Sequence, residues 1–154
     1  MSTNKSFSTE TSERYSRALF EAAKDSNELD KTESDVKKFL VLLNSSYEIA
    51  NFLKDPTQKI NIHNNAINIL AEKLLFSKDF KNFLLLIVEK RRIFFVIKIL
   101  ENFLRLCSKK RGEIKASLIS SKELSKDELD AISKDLSQSM GSIIRFDYEV
   151  DKEL

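Results

Sequence analysis

Up to Gly112 the apolar residues recur at helical spacing; beyond it they alternate. Six helical segments fit the first stretch. From about Thr11 to Lys24, Tyr15, Ala18, Leu19, Ala22 and Ala23 share one stripe at i, i+3, i+4, i+7 and i+8. Phe20 lies off that stripe, so this helix is expected to touch a second neighbour or a partner. A second segment, about Lys31 to Asn44, carries Val36, Phe39, Leu40 and Leu43 on one face, with Asp30 and Glu33 spaced as a capping pair. A short third segment, Tyr47 to Lys54, stops before Asp55-Pro56. Asp55 then reads as the cap of a fourth helix with Pro56 at its first position, followed by Ile60, Ala66, Ile67, Leu70 and Leu74. Ser77 caps a fifth, about Lys78 to Lys90, and a sixth runs from about Ile93 to Lys110, where Gly112 stops it.

The fifth and sixth segments are apolar around most of their circumference, through Phe80 to Val88 and Ile93 to Cys107. A helix of that kind is either central in a bundle or shows a greasy face to a partner. After Gly112, Glu113 to Ser120 alternates as a strand. Leu124-Ser125-Lys126-Asp127-Glu128-Leu129 is a helix start with its capping box and hydrophobic staple, and Gly141 ends that helix after Met140. Ile143 to Val150 alternates again, with Ile144, Phe146, Tyr148 and Val150 on one face. The expected fold is therefore mainly α: a six-helix bundle over residues 1–111, then a small strand-helix-strand α/β domain over 112–154. Two strands are few for a stable domain, so the second is expected to be incomplete as it stands.

Composition narrows the function. Two Gly and one Pro in 154 residues exclude an all-β sandwich or barrel, which needs turn residues every few positions. Hydrophobic residues at 42% exclude a charge-driven disordered chain. Through Arg111 there are 20 Lys and Arg against 14 Asp and Glu, a net of +6; from Gly112 the balance is 6 against 10, a net of −4. The sign changes where the period changes, which supports a domain boundary there. The amino terminus, MSTNKSFSTETSE, has no apolar signal core, and no uncharged run is long enough for a membrane span. A soluble protein, attached to a membrane only through others, is the expectation.

Catalytic chemistry has little to stand on. His63, the one histidine, sits among Asn61, Asn64 and Asn65 and reads as a surface polar residue. Cys107 lies on the apolar sixth helix and reads as a small buried hydrophobe. One His and one Cys make no zinc set, and two glycines 29 residues apart make no phosphate loop. No enzymatic role, cofactor, metal or small-molecule substrate is expected. The clusters Lys90-Arg91-Arg92 and Lys109-Lys110-Arg111 could meet nucleic acid, but both fall at helix C-termini, where cations complement the helix dipole without any ligand.

The residues now assembled resemble a known family. Arg14-Tyr15-Ser16-Arg17-Ala18-Leu19-Phe20-Glu21-Ala22-Ala23 resembles the first helix of the delta subunit of F-type ATP synthases, called the oligomycin-sensitivity-conferring subunit in mitochondria. That family commonly reads Arg-Tyr-Ala-x-Ala-Leu-x-x-x-Ala there, and Ser16 departs from it. Asp55-Pro56 is similar to the family's break before its fourth helix. Phe80 to Arg92 resembles its fifth-helix block and basic turn, with Glu89-Lys90-Arg91 in place of Asn-Gly-Arg or Asn-Lys-Arg. Ser120-Ser121-Lys122-Glu123-Leu124 resembles its Ser-Ala-x-x-Leu strand end, and Val150 to Leu154 resembles the lead-in to its Gly-Gly motif. That motif and the segment after it do not appear, so the chain resembles the family without its last carboxy-terminal part.

The resemblance implies a non-catalytic stator subunit of the proton-transporting synthase. Its helical domain would bind the amino-terminal helix of an alpha subunit, and its second domain the carboxy-terminal end of the b-subunit stalk. The groove for the alpha helix would lie between helices one and five. Carried onto this chain, it would be lined by Tyr15, Ala18, Leu19 and Ala22 with Phe83, Leu84 and Ile87. The implied location is peripheral, on the cytoplasmic face of a bacterial plasma (inner) membrane; the lack of an Arg-rich presequence favours this over the mitochondrial inner membrane. Alternative readings are a helical RNA-binding factor and a generic helix-binding scaffold.

Overall fold

The computed structural model describes residues 6–153. Residues 1–5, which belong to the stretch read for a signal core, and Leu154, which ends the Gly-Gly lead-in, lie outside the described residues. Seven α-helices and two strands follow in order: α1 (Phe7–Asp25), α2 (Leu29–Ser45), α3 (Tyr47–Lys54), α4 (Ile60–Leu74), α5 (Lys78–Glu89), a 3-10 turn (Ile93–Phe95), α6 (Val96–Lys110), β1 (Glu113–Ser120), α7 (Lys126–Met140) and β2 (Ile143–Val150). The fold is mainly helical with a small parallel sheet, as the hydrophobic pattern predicts. Contacts divide the chain into two compact units, residues 1–107 and 108–154.

The first unit is built around one core. Leu19, Phe39, Leu53, Ile67, Phe80, Leu84, Ile87, Ile99, Leu100 and Phe103 are at most 1% exposed. Each apolar stripe supplies its share because residues three and four apart lie on one side of a helix. Phe39, Phe76 and Phe80 meet edge to face, with centroids 4.9 to 6.1 Å apart, joining α2 to the start of α5. Phe20 meets Phe103 of α6 at 6.4 Å, so the off-stripe aromatic of α1 serves a second neighbour inside the bundle.

Several local starts differ from the sequence expectation. The cap of α1 is Ser6, whose Oγ accepts the Thr9 amide, and this helix begins before Thr11. Asp30 caps nothing: α2 begins at Leu29, and Glu33 instead pairs with Lys37 at 2.9 Å. Asp55 does not cap α4 either. Its Oδ1 accepts from the Thr57 amide and hydroxyl and its Oδ2 from Gln58 Nε2, forming a local turn that uses up the carboxylate. Pro56 belongs to that turn, and α4 starts four residues later, at Ile60. The sixth helical segment opens as a 3-10 turn before becoming α at Val96.

His63 is a clear correction. It is 4% exposed rather than on the surface. Its Nε2 lies 2.9 Å from the carbonyl oxygen of Phe52, and its ring meets the Phe52 ring edge-on at 5.2 Å. A carbonyl only accepts, so the ring nitrogen donates. The asparagines around His63 obscured this, because polarity in the sequence does not say which side of α4 packs against α3. Cys107 is buried, as its apolar helix predicts.

In the second unit, β1 and β2 run parallel in register, with Ile114 beside Ile144, Ala116 beside Phe146, Leu118 beside Tyr148 and Ser120 beside Val150. α7 makes the crossover between them. Its capping box is formed in full: Ser125 Oγ accepts the Glu128 amide, and Glu128 accepts the Ser125 amide at 2.8 Å. Gly141 ends it in the left-handed region at φ 65°, which a glycine adopts without strain. Ser133 and Ser137 of α7 then hydrogen-bond the carbonyl and amide of Ile144, tying helix to strand.

Candidate partner-binding site

The seven residues carried over for the alpha-helix groove fall into two sets. Leu19, Leu84 and Ile87 are at most 1% exposed and Phe83 is 7% exposed. These four are packed into the bundle core, because the buried stripes of α1 and α5 must cover each other where the two helices meet. They have almost no surface for a partner to cover. Ala18 and Ala22 are exposed and Tyr15 is half-buried. They form one strip on α1, flanking its buried stripe.

That strip faces away from α6. Phe20, which packs on α6, lies roughly 140° around α1 from Tyr15 by the ~100° advance per residue. Phe7 stands within about 20° of Ala18, three turns earlier on the same side. It is 63% exposed, meets Phe95 edge-on at 6.2 Å and lies under the Arg92 guanidinium at 5.3 Å. The Ala18 side of α1 therefore continues towards the connection that follows α5.

On α5, Leu86 is 41% exposed, a residue that sequence reasoning did not select. In the run Leu84-Leu85-Leu86-Ile87, four similar side chains span a full turn, and only packing decides which one points outward. Small residues at Ala18 and Ala22 leave room for another helix to approach closely, and half-buried Tyr15 on the same strip gives it apolar surface to bury.

Ala18 also borders a surface depression lined by Glu10, Glu13, Arg14, Arg17 and Glu21, so one flank of the strip is charged. Lys98 Nζ donates to Thr9 Oγ1 at 2.9 Å, fastening α6 to α1. Among the described residues there is no group of three or more His, Cys, Asp or Glu that could hold a metal ion. No helix of the described residues is long and apolar enough to cross a membrane. In the second unit, Arg111 Nε donates to Glu113 at 2.7 Å, which holds the Glu113 carboxyl below its usual range.

The architecture is a helical bundle followed by a small α/β unit, and comparison with known proteins specifies its class. The model of the ATP synthase delta (OSCP) subunit family matches residues 11–154. The chain is 37% identical over 154 residues to ATP synthase subunit delta of Pelagibacter ubique, covering all of this chain and 83% of that protein. It is 30% identical over the same length to ATP synthase subunit delta of Rhodospirillum rubrum, again covering 83% of it. A chain in the structure of the Toxoplasma gondii mitochondrial ATP synthase hexamer shares the fold, with a TM-score of 0.72 at 19% identity, over 96% of this chain and 78% of that one. The chain belongs to the ATP synthase delta (OSCP) subunit family.

Proposed function

We propose that this chain works as the non-catalytic stator subunit of a proton-transporting F-type ATP synthase. The bundle holds the amino-terminal helix of an alpha subunit, and the α/β unit holds the carboxy-terminal end of the b stalk. The link between them resists rotation of the catalytic head, so that the turning rotor drives ATP synthesis. Membership of the delta family supports the reading. The observation that carries it for the alpha side is the strip of Ala18 and Ala22, exposed beside half-buried Tyr15 on a helix packed against α5. Leu19, Phe83, Leu84 and Ile87 act there by fixing α1 against α5 from within. The delta subunits of Pelagibacter and Rhodospirillum support a place at the cytoplasmic face of a bacterial plasma membrane, held there through the complex.

The test is calorimetric titration with a peptide of about 20 residues, the amino-terminal helix of the alpha subunit from the same source. One-to-one binding with a negative heat-capacity change and little salt dependence would mark the filling of an apolar site. Ala22→Glu should weaken it by about tenfold or more, a loss of about 1.4 kcal/mol, with helicity unchanged. Failure of the well-folded chain to bind would remove the alpha-side role.

A further inference from the structure

At one end of the bundle the α3–α4 turn meets the turn that follows α5. Arg91 Nη1 lies 3.4 Å from the Gln58 carbonyl oxygen across the junction. Between the turns is a cavity of about 70 Å³, with Pro56, Ile60, Ile93 and Phe94 among its apolar walls. Lys54 and Arg91 line it too, and Phe94 is 56% exposed beside it. A cavity that size is about half the volume that holds a benzene ring, enough for one aliphatic side chain.

Cations outnumber carboxylates around it: Lys54, Lys90, Arg91 and Arg92 stand against Asp55, which also lines the cavity, and Glu89. Lys54, Lys90, Arg91 and Arg92 form no ion pair among the described residues. Asp55 accepts from Thr57 and Gln58, which keeps its carboxylate ionised but turned into the local turn's hydrogen bonds. The backbone at Arg91 also bears on the choice of test variant. The amide of Arg92 bonds the Ile87 carbonyl and that of Arg91 the Val88 carbonyl, closing α5 in the form that places its next residue in the left-handed region. Glycine favours that position, yet Arg91 occupies it at φ 57°.

We propose that this junction docks an acidic segment of a partner protein: one aliphatic side chain enters the cavity, and flanking carboxylates pair with Lys54 and Arg91. The site shares no residue with the α1 strip. Acidic-motif recognition by clustered cations, with an apolar pocket setting the register, is a known mode of peptide capture.

The full chain would be titrated with a fluorescent peptide of about 14 residues, Glu and Asp around one central Leu, and with the same peptide carrying Ser instead of Leu. The Leu peptide should bind saturably at low salt and lose affinity as salt rises. Lys54→Glu and Arg91→Gly should each weaken it by about tenfold. Arg91→Gly also relieves the left-handed residue, so its melting temperature should equal or exceed that of the unaltered chain. That separates lost docking from lost fold. Ala22→Glu should bind the acidic peptide normally, which distinguishes this site from the alpha-helix site. The proposal is overturned if nothing binds saturably, if the Ser peptide binds equally well, or if Arg91→Gly binds like the unaltered chain.

Discussion

Asp35 Oδ2 accepts the backbone amide of Ser77 across 2.7 Å, tying the middle of α2 to the cap of α5. Asp35 is fully buried, and its other oxygen pairs with Lys31, whose ammonium also reaches the Leu75 carbonyl at 3.0 Å. One carboxylate and one lysine thus hold both sides of the α4–α5 connection. That connection sets where α5 begins, and so where Phe83 and Leu86 stand relative to α1.

Replacing Asp35 with Ala should therefore destabilise the bundle by about 2–4 kcal/mol, since the Ser77 amide loses its acceptor and the lysine its partner. Urea unfolding followed by circular dichroism would measure it. A change below about 0.5 kcal/mol would mean the contact adds nothing to stability.

His63 supports a second joint. Its hydrogen bond to the Phe52 carbonyl and its edge contact with the Phe52 ring link α4 to the end of α3. His63→Ala should cost about 2–3 kcal/mol, from a lost hydrogen bond plus the space left by a buried ring. His63→Gln, with an amide that can still donate, should recover part of that loss. Equal losses for both would show that ring packing alone matters.

Much of this fold is legible in the residues, and the parts that are not have a common physical reason. Periodicity finds every helix because the buried stripe of each is contiguous: Val36, Phe39, Leu40 and Leu43 are all core. The α7 capping box is legible because both partners lie within one turn. Asp55 fails as a cap, although its type is right, because its neighbours Thr57 and Gln58 compete for the same carboxylate. The candidate groove divides for a different reason. Leu19 and Ala18 are adjacent in sequence and both fit the helical apolar spacing, but only tertiary packing assigns one to the core and the other to the surface. Arg91 was legible only as a basic residue at a helix end; its left-handed backbone comes from the closure of α5.

Acid should reveal the carboxylates that serve local structure. Asp55 is held below its ordinary value chiefly by the Thr57 hydroxyl and amide, Glu113 by the Arg111 guanidinium, and Glu128 by the Ser125 amide and hydroxyl. In each case the folded form binds its proton less readily than the unfolded chain. Their stabilisation is therefore complete above the unfolded carboxylate range, about pH 4, and fades as pH falls through the lower folded values. The melting temperature of the chain should be more sensitive to pH below about 4 than that of an Asp55→Asn, Glu113→Gln, Glu128→Gln triple variant. Parallel curves would show that other groups govern the acid transition.

Tyr148 makes the sharpest prediction for the second unit. Its hydroxyl accepts the Leu124 amide at 2.8 Å and donates to the Lys122 carbonyl at 3.0 Å. One side chain on β2 thus closes the loop between β1 and α7, directly before the Ser125 cap. Tyr148→Phe keeps the ring and removes both bonds, leaving an amide and a carbonyl to find water. The loop is largely exposed, so water can replace part of the loss, and the expected cost is about 1 kcal/mol. Because the chain forms two compact units, that cost should fall on the second. Amide hydrogen exchange should quicken around Leu124 and through α7, while α1 to α6 exchange as before. Uniform quickening along the whole chain would mean instead that the two units unfold as one.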